Sequence, residues 1–203
     1  MELNNISAFR NQWGGMDLHL LDLVMKGHLD GVRHVLDLGA GKGRNGLPFL
    51  HAGCTLTAVD AAGEAFADYP ADERLTTLVA AFEERTWEPI HDLVMLCAVL
   101  HFARDLAHWR SMAEAAWSAV APGGVLFVRT ASTVGLSSIA PRLPEGGFTV
   151  GQGAQPFLVD AEEFLVQTHL WAAHWLEPLR TSVVEGGRCM TTWVLQKPTA
   201  PTD

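Results

Sequence analysis

Val35-Leu36-Asp37-Leu38-Gly39-Ala40-Gly41-Lys42-Gly43-Arg44-Asn45 is the stretch on which the fold turns. Residues 33–38 (RHVLDL) are an apolar run with one acid inside it, the pattern of a strand buried on both faces. Glycines at 39, 41 and 43 then open a turn into a short helix that closes near Gly53. Such a turn lets backbone N–H groups approach a ligand with no Cβ in the way, which points to a nucleotide-like ligand and no further. A dinucleotide fingerprint, G-x-G-x-x-G, would place its third glycine at position 44, where Arg44 stands. The pattern here is D-x-G-x-G-x-G.

Working outward, strand-like runs alternate with helical periodicity, which predicts βα units and a parallel sheet. Before the turn, Leu18, Leu21, Val24, Met25 and His28 recur at helical spacing within 17–29, and residues 1–32 read as a cap segment plus that helix. After it come strands at Thr55–Val59, closed by Asp60, at Leu75–Ala80 and at Asp92–Cys97. A helix over 105–120 follows, with Asp105 as N-cap and Trp109, Ala113 and Trp117 on its apolar face. Ala121-Pro122-Gly123-Gly124 delivers a fifth strand, Val125–Arg129. Asp160 with Glu163 forms a capping box for a helix over 160–168. Two strand-like runs, about 169–180 and 188–196, are joined through Gly186-Gly187 into a hairpin, with Trp171 and Trp175 alternating on the first. Residues 131–156, rich in Gly, Ser and Pro, predict a long loop of the kind kept for function, a substrate lid, and 198–203 a flexible tail.

Composition narrows the class. The 203 residues hold 48% hydrophobic and 18% charged side chains, enough for one domain with a substantial core and unlike a disordered chain. Lys+Arg 14 against Asp+Glu 23 leaves a net charge of −9, which speaks against nucleic acid and anionic membrane as partners. Cys54, Cys97 and Cys189 have neither disulfide nor zinc spacing, and no signal or membrane-spanning segment is legible. The expectation is a cytoplasmic single domain, 1–203, without a metal.

The glycine stretch resembles motif I of the class I S-adenosylmethionine-dependent methyltransferases. The resemblance continues in order: Thr57-Ala58-Val59-Asp60 as the second strand, Ala81-Phe82-Glu83 as the loop at the adenine, His91 to Val94 with Cys97 to Phe102 as the fourth strand and its exit, and Pro122-Gly123-Gly124 before strand five. It implies a Rossmann-like, seven-stranded, mostly parallel α/β sheet with helices on both faces and a C-terminal antiparallel hairpin. Within the superfamily the chain is most similar to the small-molecule branch that includes the tellurite-resistance methyltransferases. Gly41 to Leu47, Gln155-Pro156-Phe157, and Leu179-Arg180-Thr181 with Arg188 carry that likeness. The branch has a His-Arg pair in the hairpin; here Leu179 replaces the His, which leaves metalloid chemistry open while the resemblance still implies methyl transfer.

The resemblance implies S-adenosyl-L-methionine as cofactor, S-adenosyl-L-homocysteine as its product, and a small-molecule acceptor. It places Gly39, Ala40, Gly41 and Arg44 at the cofactor, with Asp60 and Ala61 at the ribose and Ala81 and Phe82 at the adenine. Asp37 either meets the cofactor's amino group or orients the turn; Cys97 lines the pocket. Trp13 either folds over the cofactor or acts as a hydrophobic staple. His101 is read as a general base or as a hydrogen-bonded structural group, and Arg180 is carried over as catalytic. Arg129, Arg142 and Arg188 either bind an anionic acceptor or pair with acids. A methyltransferase-like binding protein without turnover, and a nicotinamide-dependent oxidoreductase, are the alternatives. Oligomeric state is not legible.

Overall fold

A computed structural model describes residues 6–136, 142–144, 146–148, 156–184 and 188–199. Seven strands form one sheet: β1 (His34–Leu38), β2 (Thr55–Asp60), β3 (Leu75–Val79), β4 (His91–Cys97), β5 (Val120–Ala131), β6 (His174–Val184) and β7 (Arg188–Gln196). Their spatial order is β3-β2-β1-β4-β5-β7-β6. The pairs β3·β2, β2·β1, β1·β4 and β4·β5 are parallel, while β7 lies antiparallel to both β5 and β6. This is the sheet and hairpin that the sequence predicts.

Helices α1 (Ile6–Trp13), α2 (Leu18–Met25), α3 (Leu47–His51), α4 (Leu106–Ala119) and α5 (Ala161–Leu170) complete the fold. The apolar strands serve two cores by simple alternation. Val94 and Leu96 join Trp109, Ala113 and Trp117 of α4, Phe164 of α5 and Trp193 of β7. Leu93 and Met95 join Leu20 and Leu23 of α2 and Phe49 of α3. On the first side the indoles stack: Trp171 lies 5.0 Å from Trp117 and 5.4 Å from Trp193, which lies 6.2 Å from Trp109.

Local signals placed the caps. Asp105 Oδ1 accepts from His108 N–H at 2.7 Å, and Asp160 Oδ1 from Glu163 N–H at 3.2 Å. Several boundaries differ from expectation. Helix α2 stops at Met25, because Gly27 at φ +77 turns the chain before Leu29. Strand β5 begins at Val120 and runs through Pro122-Gly123-Gly124, absorbing the turn as a register shift opposite His91 and Leu93. The expected strand at 169 starts only at His174: α5 extends to Leu170, Trp171 is its C-cap, and Ala172 at φ +48 makes the turn. Trp171 is therefore a core residue, not a strand residue. Helix α1 had no counterpart in the sequence reading.

The Gly186-Gly187 turn lies outside the described residues, as do most of 137–155 and residues 200–203. Within the expected loop, Arg142 bridges to Phe148 and Phe148 to Leu158. Among the described residues no helix is long and apolar enough to cross a membrane.

Candidate active site

In an open α/β sheet the crevice lies beyond the carboxyl ends of the parallel strands, and here those ends gather the expected residues. Strand β1 ends at Leu38, and the N–H groups of Gly39 and Ala40 both donate to the Val59 carbonyl of β2, at 2.8 and 3.0 Å. Gly39 has φ +73, and a Cβ on it would run into the Val99 side chain. Gly41 has φ +52, with open space where its Cβ would stand. The turn thus folds itself against the ends of β2 and β4 and leaves bare backbone facing outward.

Asp60, at the end of β2, clamps the turn. Its Oδ2 accepts from Gly41 N–H at 2.9 Å and its Oδ1 from Ala62 N–H at 2.9 Å. A carboxylate has about four acceptor positions; with two taken, the remainder suit a pair of hydroxyl donors. Tyr69, not anticipated, covers the turn by donating from its hydroxyl to the Gly41 carbonyl at 3.1 Å. Its phenol is pushed well above its ordinary value by burial and by Asp37 and Asp60.

Asp37 is 2% exposed on β1, and its Oδ2 has no hydrogen-bond partner. Burial pushes its carboxyl up to about 7; Gly46 N–H and Arg44 pull the other way, and Asp60 adds a smaller upward push. An orphaned buried carboxylate oxygen beneath a glycine turn is where a donor or a cation on a ligand would be stabilised. Cys97, half-buried at the end of β4, has its thiol pushed well above its ordinary value by burial, then by Asp37 and Asp17. It is a neutral lining group rather than a nucleophile.

Ala98, next along the β4 exit, is left-handed at φ +63, and its N–H donates to the Arg129 carbonyl at 2.7 Å. An alanine held in this conformation stores about 1 kcal/mol of strain. It turns the chain so that His101 comes to lie beside β5. His101 Nδ1 is 3.4 Å from both Thr130 Oγ1 and Ala131 N, and burial lowers the imidazole below its ordinary value. A neutral ring with one nitrogen so placed leaves Nε2 for another partner.

The remaining candidates divide. Ala40 is buried in the turn, Arg44 and Ala61 are exposed at its edge, and Ala81 caps the short turn Phe82–Glu84. The Phe82 ring is packed into the core, 5% exposed. Trp13 ends α1 and meets Phe49 edge-on at 6.4 Å, an apolar packing contact. Arg129 is paired with Asp17, Nε to Oδ2, at 2.9 Å. Arg142 is exposed, beside Asp160 and Glu163 in a shallow groove that Leu106 and Phe148 help to line. Arg188 opens β7.

Arg180, expected as catalytic, lies in an ion-pair cluster. Its guanidinium is engaged by Asp22 Oδ2 at 2.8 Å and Glu177 Oε2 at 2.6 Å, and Lys26 and His28 join the same acid. Its backbone is three strands from Cys97 in the register Cys97–Arg129–Thr192–Arg180, roughly 14 Å at the usual strand spacing. Arg180 fastens α2 to β6. Among the described residues no cluster of His, Cys, Asp or Glu is arranged to hold a metal ion.

Solved structures with a similar fold include methyltransferases bound to S-adenosylmethionine or S-adenosylhomocysteine. The Burkholderia thailandensis 1,6-didemethyltoxoflavin-N1-methyltransferase, bound to 1,6-didemethyltoxoflavin and S-adenosylhomocysteine, is 18% identical, with a TM-score of 0.67 over 94% of this chain and 81% of that one. TehB from Haemophilus influenzae is 17% identical, with a TM-score of 0.64 over 93% of this chain and 65% of that one. The glycopeptide N-methyltransferase MtfA with S-adenosylmethionine is 14% identical, at 0.60 over 88% and 87%. By sequence, residues 36–128 match the methyltransferase domain family. No curated protein matches the chain. Residues 36–128 are therefore similar to a methyltransferase domain, and the sheet has the fold of solved enzymes bound to S-adenosylmethionine or S-adenosylhomocysteine, as the glycine turn led one to expect.

Proposed function

We propose that this chain transfers a methyl group from S-adenosylmethionine to a small-molecule acceptor. The observation that carries the reading is the unpartnered, buried Oδ2 of Asp37 beneath a glycine turn clamped by Asp60. The bound cofactor supplies a methyl group on a positively charged sulfur, open to in-line displacement. Asp60 and Ala61 would hold the ribose, Ala81 and the Phe82 backbone would border the adenine, and Asp37 would face the amino group. Gly39, Ala40, Gly41 and Arg44 would flank the amino-acid end.

Catalysis then rests on holding donor and acceptor at near-attack distance, and the chain has no covalent step to perform. His101, neutral at ordinary pH, would take the proton from an O–H or N–H acceptor through Nε2 in the tautomer whose Nδ1–H donates to Thr130 Oγ1, with the long contact from Ala131 N–H to Nδ1 given up. The lid is the stretch 131–156. It is supported by Phe148 pairing with Leu158 and by Phe157 N–H donating to the His101 carbonyl at 2.9 Å. Arg142 would border that acceptor side. Free thiols at Cys54, Cys97 and Cys189 suit a cytoplasmic setting.

The test is calorimetry with S-adenosylhomocysteine. The native chain is expected to bind and Asp60→Ala to lose that binding by at least about 10-fold, since two backbone N–H partners and the acceptor for the ligand go together. A panel of neutral and anionic small molecules, read by S-adenosylhomocysteine release, then identifies the acceptor. A native chain that does not bind S-adenosylhomocysteine overturns the reading.

A further inference from the structure

Asp17 ties together three parts of the molecule. Its backbone N–H donates to Asn45 Oδ1 at 2.8 Å, at the end of the glycine stretch. Its Oδ1 accepts from His19 N–H at 3.0 Å and so caps α2. Its Oδ2 pairs with Arg129 Nε of β5 at 2.9 Å, and Arg129 Nη1–H donates to Thr192 Oγ1 of β7 at 3.1 Å. The cap needs only Oδ1; the other two contacts are additional. The Asp17 and Arg129 side chains are only 8% and 17% exposed, so water screens this pair far less than a surface one. Asn45 is 4% exposed, so its amide is likewise committed.

We infer that Asp17 is a positioning residue for methyl transfer: through Asn45 and Arg129 it locks the glycine turn to β5 and α2. The donor side and the acceptor side of the crevice thereby keep one separation, and filling the first is felt by the second. The inference rests on the methyl-transfer reading, because it takes the glycine turn to hold the donor. It also explains why Arg129 does not need an anionic acceptor: its guanidinium is already matched by a carboxylate.

Hydrogen–deuterium exchange with S-adenosylhomocysteine as the probe tests it. In the native chain the ligand is expected to slow exchange about tenfold or more at 39–46, and also at 17–25 and 129–131. Asp17→Asn keeps a good cap and the backbone N–H but loses the charge. It should retain the slowing at 39–46 while that at 17–25 and 129–131 falls below about twofold. Asp17→Asn with Arg129→Met removes both charges, avoids an unpaired arginine, and should show the same loss with a near-native Tm. A merely structural role would speed exchange equally with and without ligand and leave the ratio unchanged; that result overturns the inference. So does a native chain in which the turn is slowed and α2 is not. If the ligand slows nothing in the native chain, the methyl-transfer reading fails first and the inference with it.

Discussion

Replacing Asp37 by Asn removes a charge from a site where burial opposes it. The ordinary value of this carboxyl is 3.8, and in the folded chain it is pushed up to about 7. Between those two values the unfolded chain has released the proton while the folded chain still holds it. Folding stability should therefore fall as pH rises from about 4 to about 7, by roughly 1.4 kcal/mol per pH unit, and level off above. The span sets a ceiling of about 4 kcal/mol, reached near pH 8. Asn has the same shape and does not titrate. Asp37→Asn is expected to match the native chain near pH 4 and to exceed it near pH 8, with Arg44, Asp60 and Tyr69 common to both. Urea unfolding of the two proteins at several pH values reads the difference directly, because every other group cancels. The same variant should bind S-adenosylhomocysteine about 10- to 100-fold less tightly, as a charge-assisted hydrogen bond is worth about 1.5–3 kcal/mol. A stability difference that is flat in pH, or an Asn variant that is less stable near pH 8, refutes the argument that burial governs this acid.

Three further outcomes are expected. Gly39→Ala drives a Cβ into Val99 at a positive φ, and should cost at least about 2 kcal/mol with loss of S-adenosylhomocysteine binding; adding Val99→Ala should recover part of the stability in urea unfolding. His101→Ala should leave S-adenosylhomocysteine affinity unchanged in calorimetry but lower kcat about 100-fold once an acceptor is in hand. Because burial lowers His101 below its ordinary value, the native rate should stay level through neutral pH and fall only under acid conditions, where the imidazole gains its proton. Trp193→Ala empties the centre of the indole stack and should cost about 3–5 kcal/mol by urea unfolding, without a specific effect on binding.

What was legible in the sequence was local. The glycine spacing, the acid closing β2, and the caps at Asp105 and Asp160 each depend on residues within one turn of each other. The strand order followed from the resemblance those signals carried. What escaped depends on distant contacts or on residues without a signature. Ala98 is left-handed, yet alanine advertises nothing of the kind. Tyr69 covers the turn from 28 residues away, and Arg180 meets an aspartate 158 residues distant. The segment 169–173 alternates like a strand because it holds a helix end, a C-cap indole and a turn in succession. Phe82 follows the family pattern in position, but its ring is claimed by the core.

The place of β7 has a consequence for the order in which the molecule can assemble. Strand β7 follows β6 in the chain but lies between β5 and β6 in space. Until residues 188–196 have paired with β5, β6 has no neighbour to join, and His19 and Asp22 of α2 have no fixed Ser182 and Arg180 to meet. The five parallel strands, with the glycine turn and Asp60, can therefore form from the first 131 residues, whereas the ion pairs and hydrogen bonds that fasten α2 to β6 must wait for the last strand. Assembly would proceed from the nucleotide side toward the acceptor side, and any change that weakens the β5·β7 ladder would leave a chain able to grip a cofactor with nowhere to present a substrate.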